Sequence, residues 1–212
     1  MKKTKKILLG LAIIASVFIF SGCGSEDNAQ VAGTQTQSAD ATEVNQKLAE
    51  LAITTGPTDA KVTIIEASDF ECPACRHWAP EFDKTVQKYV DKVKFGYIPF
   101  PLSYHESAMP AALAVEAAAK QGKGWEMFTK LFEGEALDLG KIDTTAKDLG
   151  LDMDKFNADK DSQEVKDKIE KAKTLLTDLN LQGTPTYYIN GQEYSGTPTL
   201  DALSIEIDKL LK

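Results

Sequence analysis

Metal ligands and crosslinks are scarce in this sequence. Its 212 residues contain three cysteines and two histidines, so a four-ligand structural zinc site would use most of the supply. The same scarcity rules out a framework of structural disulfides. Long apolar runs are missing as well. The longest, Ile7 to Phe20, has 14 residues, short of the about 20 that cross a bilayer as a helix. Basic clusters are confined to the N-terminus. The formal net charge is −8, and removing the first 23 residues, which hold Lys2, Lys3, Lys5 and Lys6 but no acid, leaves 20 basic against 32 acidic side chains, or −12. A body this acidic does not bind nucleic acid, because phosphate contacts need basic patches.

What is present begins with an address. The basic run Met1-Lys2-Lys3-Thr4-Lys5-Lys6 leads into the short apolar stretch, which has the proportions of a signal peptide; a short uncleaved anchor is the plainer alternative. Phe20-Ser21-Gly22-Cys23 resembles the bacterial lipobox. That resemblance implies a signal peptide over residues 1–22, lipid on Cys23 and a chain exported and held at the outer side of a cell-envelope membrane. Residues 24–40 are small and polar and read as a tether reaching about 20–25 Å. Val44, Leu48 and Leu51 recur at helical spacing, so a short helix is possible before Gly56-Pro57 breaks it. The lipid-attached segment is thus expected to run over 23–56 and the folded domain over 57–212.

Within that domain, Lys61 to Ala67 reads as a buried central strand, and Pro73 to about Val90 as a helix. Val93 to Ile98 is a second strand. Helical segments follow at Ser107–Gln121, Trp125–Phe132, Thr144–Leu149 and Gln163–Leu179. Then comes a hairpin, Thr186–Ile189 and Gln192–Tyr194 about the turn Asn190-Gly191, and a last helix, Leu200–Leu211. The order is β-α-β, a helical block at about 105–180, then β-β-α: an α/β domain with a parallel pair, a hairpin and covering helices.

With Cys23 set aside for lipid, the remaining cysteines form the motif Cys72-Pro73-Ala74-Cys75 at the junction of strand and helix. A helix N-terminus offers free N–H groups and partial positive charge, which favour a thiolate on Cys72. Pro73 suits the first turn, where its missing N–H is not needed, and Arg76 and His77 add positive charge nearby. A disulfide closing so small a loop constrains little of the unfolded chain, so the pair suits chemistry better than stability. Half a zinc site, Cys72-x-x-Cys75-x-His77, is the rival, and only His105 is left to complete it. A lipoprotein that binds partners or zinc without catalysis is the alternative of another class.

The segment Phe70-Glu71-Cys72-Pro73-Ala74-Cys75-Arg76, together with Gly183-Thr184-Pro185-Thr186, resembles the DsbA-like branch of the thioredoxin superfamily. It is most similar to the membrane-attached bacterial thiol oxidoreductases of that branch. The likeness runs from about Gly56 to the C-terminus and includes Pro80, the Phe100-Pro101-Leu102 segment with His105, and the alanine-rich helix after it. It implies a thioredoxin fold with a helical insertion, and thiol–disulfide exchange without a bound cofactor or metal. Cys72 is the implied attacking sulfur and Cys75 the resolving one. Pro73 and Ala74 form the active-site loop, and Thr184 with a cis Pro185 holds the substrate peptide. Glu66, six residues before Cys72, matches the family's buried acid that moves protons at the inner cysteine; a strand-end carboxylate reaching solvent is the alternative. The implied partners are exported proteins with thiols or disulfides, and a redox partner that recycles the pair. Disulfide donation is the expected direction, with reduction or isomerisation as alternatives.

Overall fold

The computed structural model describes residues 40–134, 137–196 and 198–212. The expected signal peptide, Cys23 and most of the expected tether lie outside the described residues. Five strands form one mixed sheet in the order β1-β3-β2-β4-β5. The central strand β2 (Val62–Ser68) runs parallel to β3 (Val93–Pro99), with Val62 opposite Val93 and Glu66 opposite Tyr97. Helix α2 (Pro73–Tyr89) makes the crossover that a parallel pair requires. On its other side β2 pairs antiparallel with β4 (Thr186–Ile189), placing Glu66 opposite Tyr187. A hairpin links β4 to β5 (Gln192–Tyr194). Its turn residues, Asn190 and Gly191, both have positive φ, 48° and 80°, as a two-residue hairpin that follows the strand twist demands.

Every residue of β2 is buried, and its side chains alternate between two apolar layers. On one face Val62 and Ile64 join Phe95, Tyr97, Tyr187 and Ile189. Phe82 and Val86 of α2, and Leu203 and Ile207 of α8 (Leu200–Leu211), cover that layer. On the other face Ile65 and Ala67 join Ile98 and Tyr188 beneath α1 (Ala41–Leu51) and α7 (Gln163–Asp178), which contribute Val44, Leu48, Ala172 and Leu176. The remaining helices, α3 (Ala108–Lys120), α4 (Gly124–Phe132), α5 (Leu139–Asp148) and α6 (Met153–Asp161), lie with α7 between β3 and β4 in sequence. They form the helical insertion where the sequence places it.

The domain begins earlier than residue 57. Helix α1 is packed onto the sheet, and β1 (Ile53–Thr55) pairs antiparallel with β3, Ile53 facing Tyr97. A three-residue edge strand is too short for any periodicity to show, and the helix alone gave no sign of what it covers. Helix α6 also lacks a sequence signal because a single side chain, Phe156, anchors it. Phe82 and Tyr89 of α2 are buried, whereas Trp78 on the same helix is partly exposed and rests against His77.

Because α1 belongs to the core, Leu48→Ala should lower the unfolding free energy by about 2–5 kcal/mol, read from denaturant midpoints at unchanged m-value. A change below about 0.5 kcal/mol, the range of surface substitutions, would mean that α1 is not part of the folded unit.

Candidate functional site: a cysteine pair at a helix N-terminus

At the end of β2 the chain turns through Asp69-Phe70-Glu71 and enters α2 at Cys72. Three side chains fix this turn. Asp69, buried, accepts hydrogen bonds at Oδ1 from the backbone N–H of Glu71 at 2.7 Å and of Cys72 at 3.0 Å. Its Oδ2 accepts from Leu102 N–H at 2.7 Å and lies 3.0 Å from His105 Nδ1. Phe70 stacks on Phe132 with ring centroids 4.7 Å apart and tilts against Tyr97 at 5.3 Å. Glu71 Oε2 accepts from the N–H groups of Ser107 and Ala108, capping the first turn of α3.

Cys72 is the N-cap of α2, in extended conformation, and Pro73 occupies the first turn. Its Sγ donates to the carbonyl of Thr184 at 3.3 Å, and the Thr184–Pro185 peptide bond is cis. A hydrogen bond from the Cys75 thiol, supported by the Thr184 side chain and the backbone N–H groups of Cys75 and Ala74, pulls the Cys72 thiol down to about 5 against the resistance of partial burial. Cys75 is fully buried, and burial first, then the neighbouring Cys72 sulfur and the charge of Glu66, push its thiol well above the ordinary range. The two sulfurs are thus made chemically unlike: one ionises readily, the other holds its proton.

Glu66 points to the same face of the sheet as Ile64, beneath α2. It is fully buried, and neither carboxyl oxygen has a hydrogen bond of ordinary geometry. Burial pushes its pKa up to about 8, an effect that the Ser68 and Tyr187 hydroxyls oppose. Tyr97 and Tyr187 flank it in register on β3 and β4, and burial raises both phenols far above their usual values. A carboxyl group that is protonated near neutrality therefore lies close to a buried thiol.

Of the residues singled out in the sequence, Cys72, Pro73, Ala74, Cys75, Glu66, Thr184 and Pro185 all belong to this one region, while Cys23 is outside the described residues. Arg76 departs from expectation. Its guanidinium binds the carbonyls of Phe70, Leu131 and Gly134 at 3.1–3.4 Å, so it ties α2 to the end of α4. His77 is exposed, and His105, which a zinc site would need, is engaged by Asp69. Among the described residues no group of three or more His, Cys, Asp or Glu is placed to hold a metal. Asp69, Glu71 and the two tyrosines are not among the site residues expected from the sequence. An Asp three residues ahead of a helix start is a signal for such a turn; the tyrosines give none, since only strand register reveals them.

Comparison with known proteins agrees with this geometry. The thioredoxin family model matches residues 49–209. A probable disulfide bond formation protein D of Bacillus anthracis is 32% identical over 170 residues, 74% of this chain and 77% of the relative. Among solved structures, a thioredoxin-like oxidoreductase from Silicibacter pomeroyi is 25% identical with a TM-score of 0.69, covering 77% of this chain and 95% of its own. A variant of alpha-DsbA1 from Wolbachia pipientis, also 25% identical, has a TM-score of 0.67 and covers 79% and 94%. A sheet, an insertion and a cysteine pair so arranged, with relatives of this kind, make the chain a member of the thioredoxin superfamily, a DsbA-like thiol–disulfide oxidoreductase.

Proposed function

We propose that the protein donates disulfides to exported proteins, with Cys72 as the exchanging sulfur and Cys75 as its internal partner. The observation that carries this reading is the contrast between the two sulfurs. In the oxidised enzyme a substrate thiolate attacks Cys72 Sγ, the Cys72–Cys75 bond breaks, and Cys75 leaves as a thiolate that takes a proton from Glu66. A second substrate thiolate then attacks the substrate sulfur of the mixed disulfide, releasing Cys72 as a thiolate. The substrate has lost two electrons and the enzyme has gained them; a redox partner removes them again. A leaving thiol of low pKa departs faster and stabilises the reduced enzyme, which favours donation over reduction. Thr184 and Pro185 form the wall opposite the sulfur, where an extended substrate segment can pair with the backbone of Thr184.

Localisation is part of the same proposal. Among the described residues no helix is long and apolar enough to cross a membrane, and the Ser21-Gly22-Cys23 motif supports attachment through lipid instead, since paired acyl chains anchor stably where one does not. The native protein should carry lipid on an N-terminal Cys23. Intact-mass analysis showing an unmodified Cys23 would sink this part of the reading.

The division of labour between the cysteines has a direct test. Cys75→Ser should accumulate reductant-sensitive adducts with exported proteins on a non-reducing gel, whereas Cys72→Ser should give few. A zinc site predicts equal damage to folding from either substitution and no adducts. Equal adducts from both variants, or none from well-folded Cys75→Ser, would overturn the assignment.

Glu66 gives the reaction a pH signature. Its acid form, the proton donor to Cys75, is lost as pH rises through about 8. The rate of mixed-disulfide formation, expressed per substrate thiolate, should therefore fall above that pH in the natural protein. Glu66→Gln should lower the plateau on the order of 10²-fold and abolish the fall. A Glu66→Gln enzyme with the natural pH profile would show that protons leave by another route.

A further inference from the structure

We propose that Asp69 is a positioning residue for the attacking cysteine, holding the Cys72 backbone at the start of α2 by anchoring it to the segment that opens the helical insertion. The proposal rests on the redox reading of Cys72 and assigns that site a further residue. One carboxyl oxygen receives the N–H groups of Glu71 and Cys72, and the other receives Leu102 N–H and faces His105 Nδ1. Four donors at 2.7–3.0 Å satisfy a carboxylate that is 1% exposed. Such a group is costly to bury without partners, so its complete satisfaction ties the two segments together. Leu102 and His105 are 33 and 36 residues away in sequence. Glu71 adds a second tie through Ser107 and Ala108 N–H, but of the two acids only Asp69 also holds the Cys72 N–H.

The consequence falls on the sulfur. A thiolate gains from helix N–H groups only while they point at it, and the effect is confined to the first turn. Cys72 keeps its Sγ beside Thr184 and in line with Ala74 and Cys75 N–H because its own N–H is pinned behind it. Without the carboxylate that N–H keeps only its longer bond to the Asp69 backbone carbonyl, 3.2 Å, which lets the cap residue rotate and the donors fall out of line. The negative charge of Asp69 acts in the opposite sense. Through space, a nearby carboxylate disfavours the Cys72 thiolate, so removing the charge alone would make the thiol more acidic. Positioning and simple charge therefore predict opposite signs.

The test is the thiolate absorbance of the reduced full-length protein across a pH series, with thermal unfolding as a check on the fold. Asp69→Ala should raise the Cys72 pKa by about one unit, a tenfold loss of thiolate at pH values below both midpoints. Asp69→Asn, whose amide oxygen can still receive Cys72 N–H, should return most of that rise. His105→Ala leaves the Asp69 charge in place and cuts one tie to the insertion; it should move the pKa upward by about half a unit. A fall in Asp69→Ala would reduce Asp69 to a through-space charge. An unchanged value with a lowered Tm would leave it a stabilising residue only. Should Asp69→Ala not fold, His105→Ala decides, and a natural titration there overturns the proposal. Natural protein separates the two levels of the reading: an ordinary thiol in it defeats the redox function itself, whereas a depressed value unmoved by the substitutions defeats only the role of Asp69.

Discussion

Everything at the sulfurs depends on β2 being covered on both faces. A strand with no exposed residue sends alternate side chains into two separate apolar layers, and one of them, Glu66, is ionisable. Apolar surroundings disfavour its charge far more than they disfavour its volume. The carboxyl therefore stays protonated into the neutral range without any unusual chemistry of its own. The helix that covers it begins at Cys72, and one turn in, Cys75 is carried down onto the same layer. Burial that would be a fault elsewhere here sets a proton donor against a thiol that needs one.

Polarity at the other end of the helix start works the opposite way. Cys72 is only marginally exposed, yet it faces N–H groups and a carbonyl rather than hydrocarbon, and its pKa moves down while that of its partner moves up. The separation follows from a distance of three residues along one helix. Depth changes by about a turn over that span, and with it the balance between hydrogen bonding and desolvation.

Much of this was legible in the sequence. The strand–Cys–Pro–x–Cys–helix junction, the Asn190-Gly191 hairpin and the apolar run around Glu66 are local patterns, and local patterns survive translation into structure. Contacts that depend on register were not legible. Nothing in the spacing of Tyr97 and Tyr187 announces that both flank Glu66, because that needs β3 parallel and β4 antiparallel to β2 in one particular alignment. Arg76 shows the reverse error. Its charge beside Cys75 suggested help for the thiolate, but a long side chain goes where unsatisfied carbonyls are, and the C-terminal end of α4 supplied them. The domain boundary was misplaced for a related reason: an edge strand as short as β1 is defined by its partner, not by its composition.

The Cys72 contact to Thr184 joins residues 112 apart in sequence, and most of the intervening chain is the insertion. The entropy of closing a loop grows only logarithmically with its length, so doubling that span would cost only about 0.6 kcal/mol more. Loop entropy therefore leaves the insertion nearly free to lengthen or shorten wherever its helices do not serve the site, whereas α3, α4 and α7 are held in place by Glu71, by Phe70 with Arg76, and by the sheet. Tolerance of that kind lets a single exchange centre be dressed with different outer surfaces, and so be offered to different clients, while the atoms around the sulfurs stay where they are.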